Sequence, residues 1–370
     1  MKVESLATEA FRNLDGAPVA LSPRVTVLVG ENGQGKTNFL EALYLVATLK
    51  ALRASRLREL VRFGAERARV SAAVEVSGVT RRLDVTLDAG KRHTELDGKP
   101  LRALGDWFEG VAAVAFTPDD LALVKAGPEG RRRALDRATF NRFPAYLSEA
   151  RDYQRALKSR NELLRVRSAA PEREAFEAQL CSLGARLVRR RLGWLREVLP
   201  RARRAFDDIG RASSGLSLSY RAPGLATGAL EADEPTLAAA LAEALAARLS
   251  LDQDRGYTSV GPHADDLDVR LGERAARSHA SQGQQRAIIL ALKVAEIENL
   301  REVRGFEPLL LLDDVSSELD PERNAYLMHT LARLPSQAVL TTTDARLVSA
   351  AGDATFYDVR AGRIEARRAL

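Results

Sequence analysis

The sequence predicts an α/β core split along the chain, with a mainly helical lobe between its two halves. Three observations point there. A glycine-rich turn, Gly30 to Thr37, joins an apolar strand pattern to a helical one. An apolar run closed by two carboxylates, Leu309 to Asp314, returns to β character near the far end of the chain. Between them, from Asp119 to Arg211, glycines are few and the apolar spacing is helical over long stretches. A chain of 370 residues exceeds the ~250–300 residues at which single cores stop growing, so more than one lobe is expected. The expected boundaries are 1–118 and 300–370 for the two parts of the core, and 119–299 for the helical lobe.

Taken in order, Arg24 to Val29 reads as a strand through Val25, Val27 and Val29. Asn38 to Leu49 has helical spacing through Leu40, Leu43 and Val46 or Ala47. Val70 to Val76 and Val79 to Leu87 form a hairpin at Ser77-Gly78, and Asp97-Gly98 makes another tight turn after Arg92 to Leu96. Pro144, Pro171 and Pro200 are expected at helix boundaries. Ala222 to Asp233 is loop-like and leads to an alanine-rich helix from Pro235 to Leu249. Gln282 to Val303 carries Ala287, Leu290, Val294 and Ile297 on one helical stripe. Leu309 to Leu312 and Ala338 to Thr341 read as buried strands, and Ala354 to Glu365 as a hairpin turning at Ala361-Gly362.

Composition narrows the class. No stretch approaches the ~18 consecutive apolar residues of a membrane helix. Met1 to Glu9 lacks the apolar segment of a secretory signal, and the single cysteine, Cys181, cannot form an internal disulfide. A cytoplasmic protein with no membrane partner is expected. The net charge is +6, but it is unevenly spread. Arg131 to Arg211 holds 21 basic against 10 acidic residues, while the remainder holds 35 against 40. A basic block in a slightly acidic chain suits a polyanion such as nucleic acid.

The turn itself, Gly30-Glu31-Asn32-Gly33-Gln34-Gly35-Lys36-Thr37, satisfies G-x-x-x-x-G-K-[ST] at every fixed position. Glycines let the backbone wrap phosphate oxygens, with N–H groups aimed inward at a helix N-terminus. Lys36 would place its charge on the β- and γ-phosphates, and the Thr37 hydroxyl can ligate Mg²⁺. Nucleotide binding follows. In such sites the strand ending Leu312-Asp313-Asp314 supplies the partner carboxylates: Asp313 on the metal side and Asp314 polarising water. Ser281-Gln282-Gly283-Gln284 opens the helix before that strand, and Ser317-Glu318-Leu319-Asp320 follows it. A serine and glycine at a helix start can bind phosphate through hydroxyl, N–H groups and dipole.

In this order the four strings resemble the ABC-type ATPase set of phosphate loop, S-x-G-Q signature, acidic strand and S-x-L-D loop. Adding Phe11-Arg12-Asn13, Asn38, Phe116-Thr117-Pro118-Asp119-Asp120, Gly130-Arg131-Arg132-Arg133 and Gly261-Pro262-His263, nearly the whole chain resembles the RecF family of bacterial recombination mediators, relatives of Rad50 and SMC heads. The fold class implied is an ABC-type P-loop ATPase head, split in sequence, with a helical second lobe and no long coiled coil. The resemblance implies ATP and Mg²⁺ as cofactors. Arg12, Gly30 to Asn38 and, from the other subunit of an ATP-dependent homodimer, Ser281, Gly283 and Gln284 would hold the nucleotide. Lys36, Asp313 and Asp314 would be catalytic, with Thr37 and Asp313 on Mg²⁺. The implied partners are DNA at gaps or double-strand/single-strand junctions, and RecR, with RecO and RecA in the same pathway; the implied location is the nucleoid. Arg131, Arg132, Arg133, Arg189, Arg190 and Arg191 become candidates for backbone contact without base readout.

The chain departs from the ABC pattern in two places. Phe116 to Asp120 stands where the Q-loop glutamine would be, and Thr341-Thr342-Thr343-Asp344 where the switch histidine would be. These departures and the basic helical insertion weigh against the alternative, the ATPase subunit of an ABC membrane transporter.

Overall fold

The structure is a computed structural model that describes residues 1–54, 56–167, 170–210, 215–226, 228–314, 321–346, 348 and 354–367. The chain begins β1 (Lys2–Glu9), β2 (Val19–Ala20), β3 (Val25–Val29), α1 (Lys36–Thr48), β4 (Arg67–Val76), β5 (Val79–Asp88), β6 (Lys91–Leu96), β7 (Lys99–Pro100), α2 (Leu104–Phe108) and β8 (Ala113–Phe116). It continues α3 (Ala122–Lys125), α4 (Pro128–Arg142), α5 (Tyr146–Arg165), α6 (Ala170–Gly210), β9 (Leu216–Arg221), α7 (Glu234–Ala247), α8 (Leu249–Arg255), β10 (Asp266–Leu271), β11 (Arg274–Ala275), α9 (Ala276–His279) and α10 (Gln282–Arg304). It ends β12 (Leu309–Asp313), α11 (Pro321–Arg333), β13 (Ala338–Thr342), β14 (Ala354–Arg360) and β15 (Arg363–Ala366). Two compact units result, one from Met1–Asp120 and Lys293–Leu370, the other from Leu121–Leu292.

The first unit holds two sheets. One is antiparallel, in the order β2-β1-β4-β5-β6-β7. Its strands alternate as one-faced strands must: Ala68, Val70, Ala72 and Val74 of β4 are buried. Ser77 (φ 52°) and Gly78 (φ 80°) turn the β4–β5 hairpin where the sequence placed it. The other sheet, β15-β14-β3-β13-β12-β8, is parallel apart from its β15 edge. β12 and β13 are buried along their whole lengths, which explains their uninterrupted apolar reading. β13 separates the strand that feeds the glycine-rich turn from the strand that ends in Asp313, and pairs with both. Helix α1 buries Phe39, Leu40, Leu43 and Leu45, each worth roughly 1.5–3 kcal/mol on leaving water. That burial anchors the turn preceding it.

The second unit is mainly helical, but it also contains a three-stranded sheet, β11-β10-β9, that the helical reading missed. These strands are short and polar on one face, as in Leu216-Ser217-Leu218-Ser219, so they lacked a long apolar run. Helix α7 begins as expected, with the Asp233 carboxylate accepting from the Thr236 N–H at 3.0 Å and Pro235 in the first turn. Pro200 requires a correction. It lies inside the 41-residue α6 rather than at its end. Leu195 and Val198 before it and Ala202, Ala205 and Phe206 after it are all buried, and this packing outweighs the ~3 kcal/mol an internal proline costs. The Gly261-Pro262-His263 turn is held in place by hydrogen bonds of His263. The half-buried His263 donates from Nε2 to the Thr258 carbonyl (2.9 Å), so Nδ1 accepts from the Tyr153 hydroxyl (2.6 Å). Burial also lowers its pKa and keeps it neutral. No helix among the described residues is long and apolar enough to cross a membrane.

Candidate functional site

At the C-terminal ends of β3 and β12 lies a cleft of about 470 Å³, lined in part by Arg12, Asn32, Gly33, Gly35, Lys36, Thr37 and Asn38, with Asp313 and Asp314 opposite. The glycines are needed for different reasons. A Cβ on Gly30 would stand 2.4 Å from the Val359 carbonyl oxygen, so the turn can leave β3 only without a side chain there. Gly33 (φ 80°) and Gly35 (φ 116°) occupy left-handed backbone. No side chain caps α1, whose first N–H groups face this turn as donors for an anion.

Lys36 is buried, and its ammonium donates to the carbonyls of Gly30 (2.6 Å) and Glu31 (2.9 Å). Burial lowers its pKa, and the charges of Asp314 and then Asp313 oppose that shift. The Thr37 hydroxyl donates to Asp313 Oδ1 at 2.7 Å. The Thr341 hydroxyl donates to the same oxygen at 2.9 Å and accepts from the Asp314 N–H, also at 2.9 Å. The threonine run that replaces the switch histidine thus orients both aspartates. Asp314 itself has left-handed backbone, φ 50°.

Sequence reasoning missed two groups here. Arg53 donates to Asp313 Oδ2 at 2.6 Å and lies 3.8 Å from Asp119. Glu41, buried on α1, accepts from Arg12 at 3.0 Å and from the Arg53 N–H at 3.2 Å. Arg53 belongs to no motif, and Glu41 occupies a helical position with no distinguishing neighbour; only the fold brings them in. Of the Phe116 to Asp120 segment, Pro118 reaches the cleft. Buried Asp120 accepts from the Thr117 N–H at 2.7 Å and pairs with Lys293 at 3.2 Å.

The back of the turn is clamped by the β14–β15 hairpin. Gln34 accepts from the Ala361 N–H through its side chain (2.6 Å) and from the Gly362 N–H through its carbonyl (2.7 Å). The Gly362 carbonyl accepts from the Asp15 N–H at 3.1 Å. Gly362 has φ 86°, and an added Cβ would stand 1.8 Å from the Asn13 carbonyl oxygen. Gly362→Ala is therefore expected to cost at least about 2–3 kcal/mol and to weaken nucleotide binding about tenfold, read by thermal unfolding and calorimetric titration. Gly90→Ala is the control, since Gly90 has φ 79° but open space around it.

Ser281, Gly283 and Gln284 lie in the second unit, at the start of α10. The Ser281 hydroxyl accepts from the Gln284 N–H (3.2 Å), and the Gln284 side chain accepts from the Ser281 N–H (2.9 Å). This reciprocal capping box satisfies two N–H groups at an exposed helix start. The Ser317 to Asp320 string lies outside the described residues.

Within the basic clusters, Arg131 and Arg191 require a correction. Arg131 is buried and makes a two-pronged ion pair with Asp266, 2.7 Å on each arm. Arg191 is 3% exposed and donates to Tyr220 (2.8 Å), the Pro262 carbonyl (2.7 Å) and Asp136 (2.9 Å). Arg190 is paired with Glu149 at 2.6 Å. Half-buried Arg132 and Arg189 donate to the carbonyls of Asp265 (2.8 Å) and Ala232 (2.9 Å). Arg131 and Arg191, buried in these pairs, staple the unit together instead of facing a phosphate backbone. Only Arg133 of the six is exposed, 3.8 Å from Glu129. The helical spacing could not reveal this, because the partner carboxylates come from other elements. Asp265, which accepts from Tyr220 at 2.6 Å, has its pKa pushed up to about 7 by burial.

The RecF/RecN/SMC N terminal domain family profile matches residues 2–364. The DNA replication and repair protein RecF of Myxococcus xanthus is 53% identical, covering 99% of this chain and 98% of its own. That of Anaeromyxobacter dehalogenans is 56% identical, covering 98% of each. The solved structure of the recombination mediator protein RecF-ATPrS in the RecFOR pathway has a TM-score of 0.88 at 28% identity, covering 99% of this chain and 98% of that one. The corresponding RecF-ATP structure has a TM-score of 0.86 at the same identity, covering 99% of both chains. An SMC head bound to the C-winged helix domain of ScpA shares the fold, with a TM-score of 0.55 at 16% identity over 99% of this chain and 97% of that one.

Proposed function

The chain belongs to the RecF family, and from that premise we propose that it is an ATP-dependent DNA-binding protein of recombinational repair. Two copies close on gapped duplex or a double-strand/single-strand junction when ATP is bound. In that state they help load RecA with RecR and RecO, and slow hydrolysis reopens them. The observation that carries this reading is the phosphate loop facing Asp313 and Asp314 across one cleft.

The chain's own groups divide the work. The N–H groups of the loop and the Lys36 ammonium bind the phosphates, with Lys36 exchanging its loop carbonyls for phosphate oxygens. Arg12, held by Glu41 at the rim, adds positive charge. The residues present fit Mg²⁺: Thr37 and Asp313 bring a hydroxyl and a carboxylate oxygen within 2.7 Å, a small donor set of the kind that phosphate oxygens complete. Bound there, Mg²⁺ would neutralise charge on the transferring phosphoryl group. Asp314, its backbone fixed by Thr341, takes the proton of the attacking water at its carboxylate. The Ser281 hydroxyl proton and the first N–H groups of α10 meet the γ-phosphate held by the second copy.

The test is retention of a gapped duplex with ATP, with ADP and without nucleotide. ATP-dependent retention in the absence of lipid supports the proposal. Nucleotide-independent binding, or none, refutes it.

A further inference from the structure

Phe63 is the most exposed large apolar side chain among the described residues, at 104% of its reference area. It stands at the tip of a loop with Gly64 (φ 84°) beside it. The loop is not loose. The Arg62 N–H donates to the Ala10 carbonyl at 2.8 Å, and the Arg12 N–H to the Leu60 carbonyl at 2.9 Å. The Arg62 side chain donates to the carbonyls of Arg12 (3.1 Å) and Leu14. Leu60, fully buried, anchors the short helix Leu57–Leu60 that precedes it. The fold therefore holds an aromatic ring out in water on a segment fastened to the rim of the nucleotide cleft. Exposing a full phenylalanine forgoes roughly 1.5–3 kcal/mol of burial, which a partner that covers the ring would recover.

The surrounding charge says which kind. Ala51 to Arg67 contains five arginines against two glutamates. Arg53 is committed to Asp313 and Arg62 to the loop's own anchoring. Exposed Arg56, Arg58 and Arg67 form no ion pair among the described residues. An exposed ring on a segment that also carries three exposed guanidinium groups is the chemistry of a stacking platform for an unpaired nucleobase, with arginines for the adjoining phosphates. A face made of the same arginines would repel its own copy.

We propose that Phe63, with Arg56, Arg58 and Arg67, binds the single-stranded side of a nucleic-acid junction by stacking on an unpaired base. This deepens the DNA-binding reading and rests on it. It also places a DNA contact on the ATP-binding unit rather than on Arg131 and Arg191 of the helical unit, which are buried in internal pairs.

The full chain with ATP and Mg²⁺ is titrated with three oligonucleotides: a single strand, a gapped duplex and a blunt duplex. Phe63→Ala is expected to weaken the first two about tenfold, to leave the blunt duplex within about twofold, and to leave ATP binding unchanged. Phe63→Trp should restore affinity, and its fluorescence should be quenched by the single strand. Affinities of Phe63→Ala for the single strand and the gapped duplex that match those of the wild type overturn the proposal, while ATP-dependent duplex binding in the same titration leaves the broader function standing. Loss of ATP-dependent self-association in Phe63→Ala without DNA also overturns it, because the ring would then be a contact between copies.

Discussion

Lys36→Met abolishes measurable ATP binding in a calorimetric titration, with affinity falling roughly a hundredfold or more. Charge-assisted hydrogen bonds contribute about 1.5–3 kcal/mol each, and the Lys36 ammonium sits where more than one phosphate oxygen can reach it. The fold survives the change. Lys36 packs its stem at the start of α1, methionine retains the stem volume, and the carbonyls freed belong to half-buried Gly30 and exposed Glu31, where water can replace the ammonium. Unchanged thermal unfolding in the absence of nucleotide is therefore the expected control. Affinity within a few fold of wild type would mean that the phosphates bind elsewhere.

Asp314→Asn is the second large effect. Asparagine keeps the size, tolerates left-handed backbone and preserves the N–H donated to Thr341, so the geometry at φ 50° is maintained. It removes the carboxylate charge and with it the capacity to take a proton. Loss of a general base costs typically 10²–10⁴-fold, so steady-state phosphate release should fall at least about a hundredfold while ATP affinity stays within a few fold. A variant that hydrolyses at the wild-type rate would assign water activation to another group.

How far the sequence could be read depended on whether the chemistry is local. The phosphate loop was legible because all its donors come from eight consecutive residues, and Asp313 because it ends a strand whose apolar run is unmistakable. The helix after the loop was legible from Leu40 and Leu43, though it starts at Lys36 because Gly35 already turns the chain. Long-range pairing was not legible. Arg53 meets Asp313 across 260 positions, and Gln34 meets Ala361 across 327. The arginine clusters misled for the same reason: Arg131 finds Asp266 across 135 positions, Arg191 finds Asp136 across 55, and net charge does not report pairing. Pro200 misled because packing on both sides of it overrides a local preference. The exposure of Phe63 was invisible in a sequence where phenylalanine usually signals core.

The central claim is that ATP joins two copies through Ser281 of one and the phosphate loop of the other. Sedimentation velocity of Asp314→Asn with saturating ATP and Mg²⁺, alone and combined with Ser281→Arg, tests it most directly. The single variant should sediment as a dimer with ATP and as a monomer without it. The double variant should bind ATP and remain a monomer, the lost helix cap costing only about 1 kcal/mol. An ATP-saturated single variant that stays monomeric, or a double variant that dimerises as well as the single, would contradict the account.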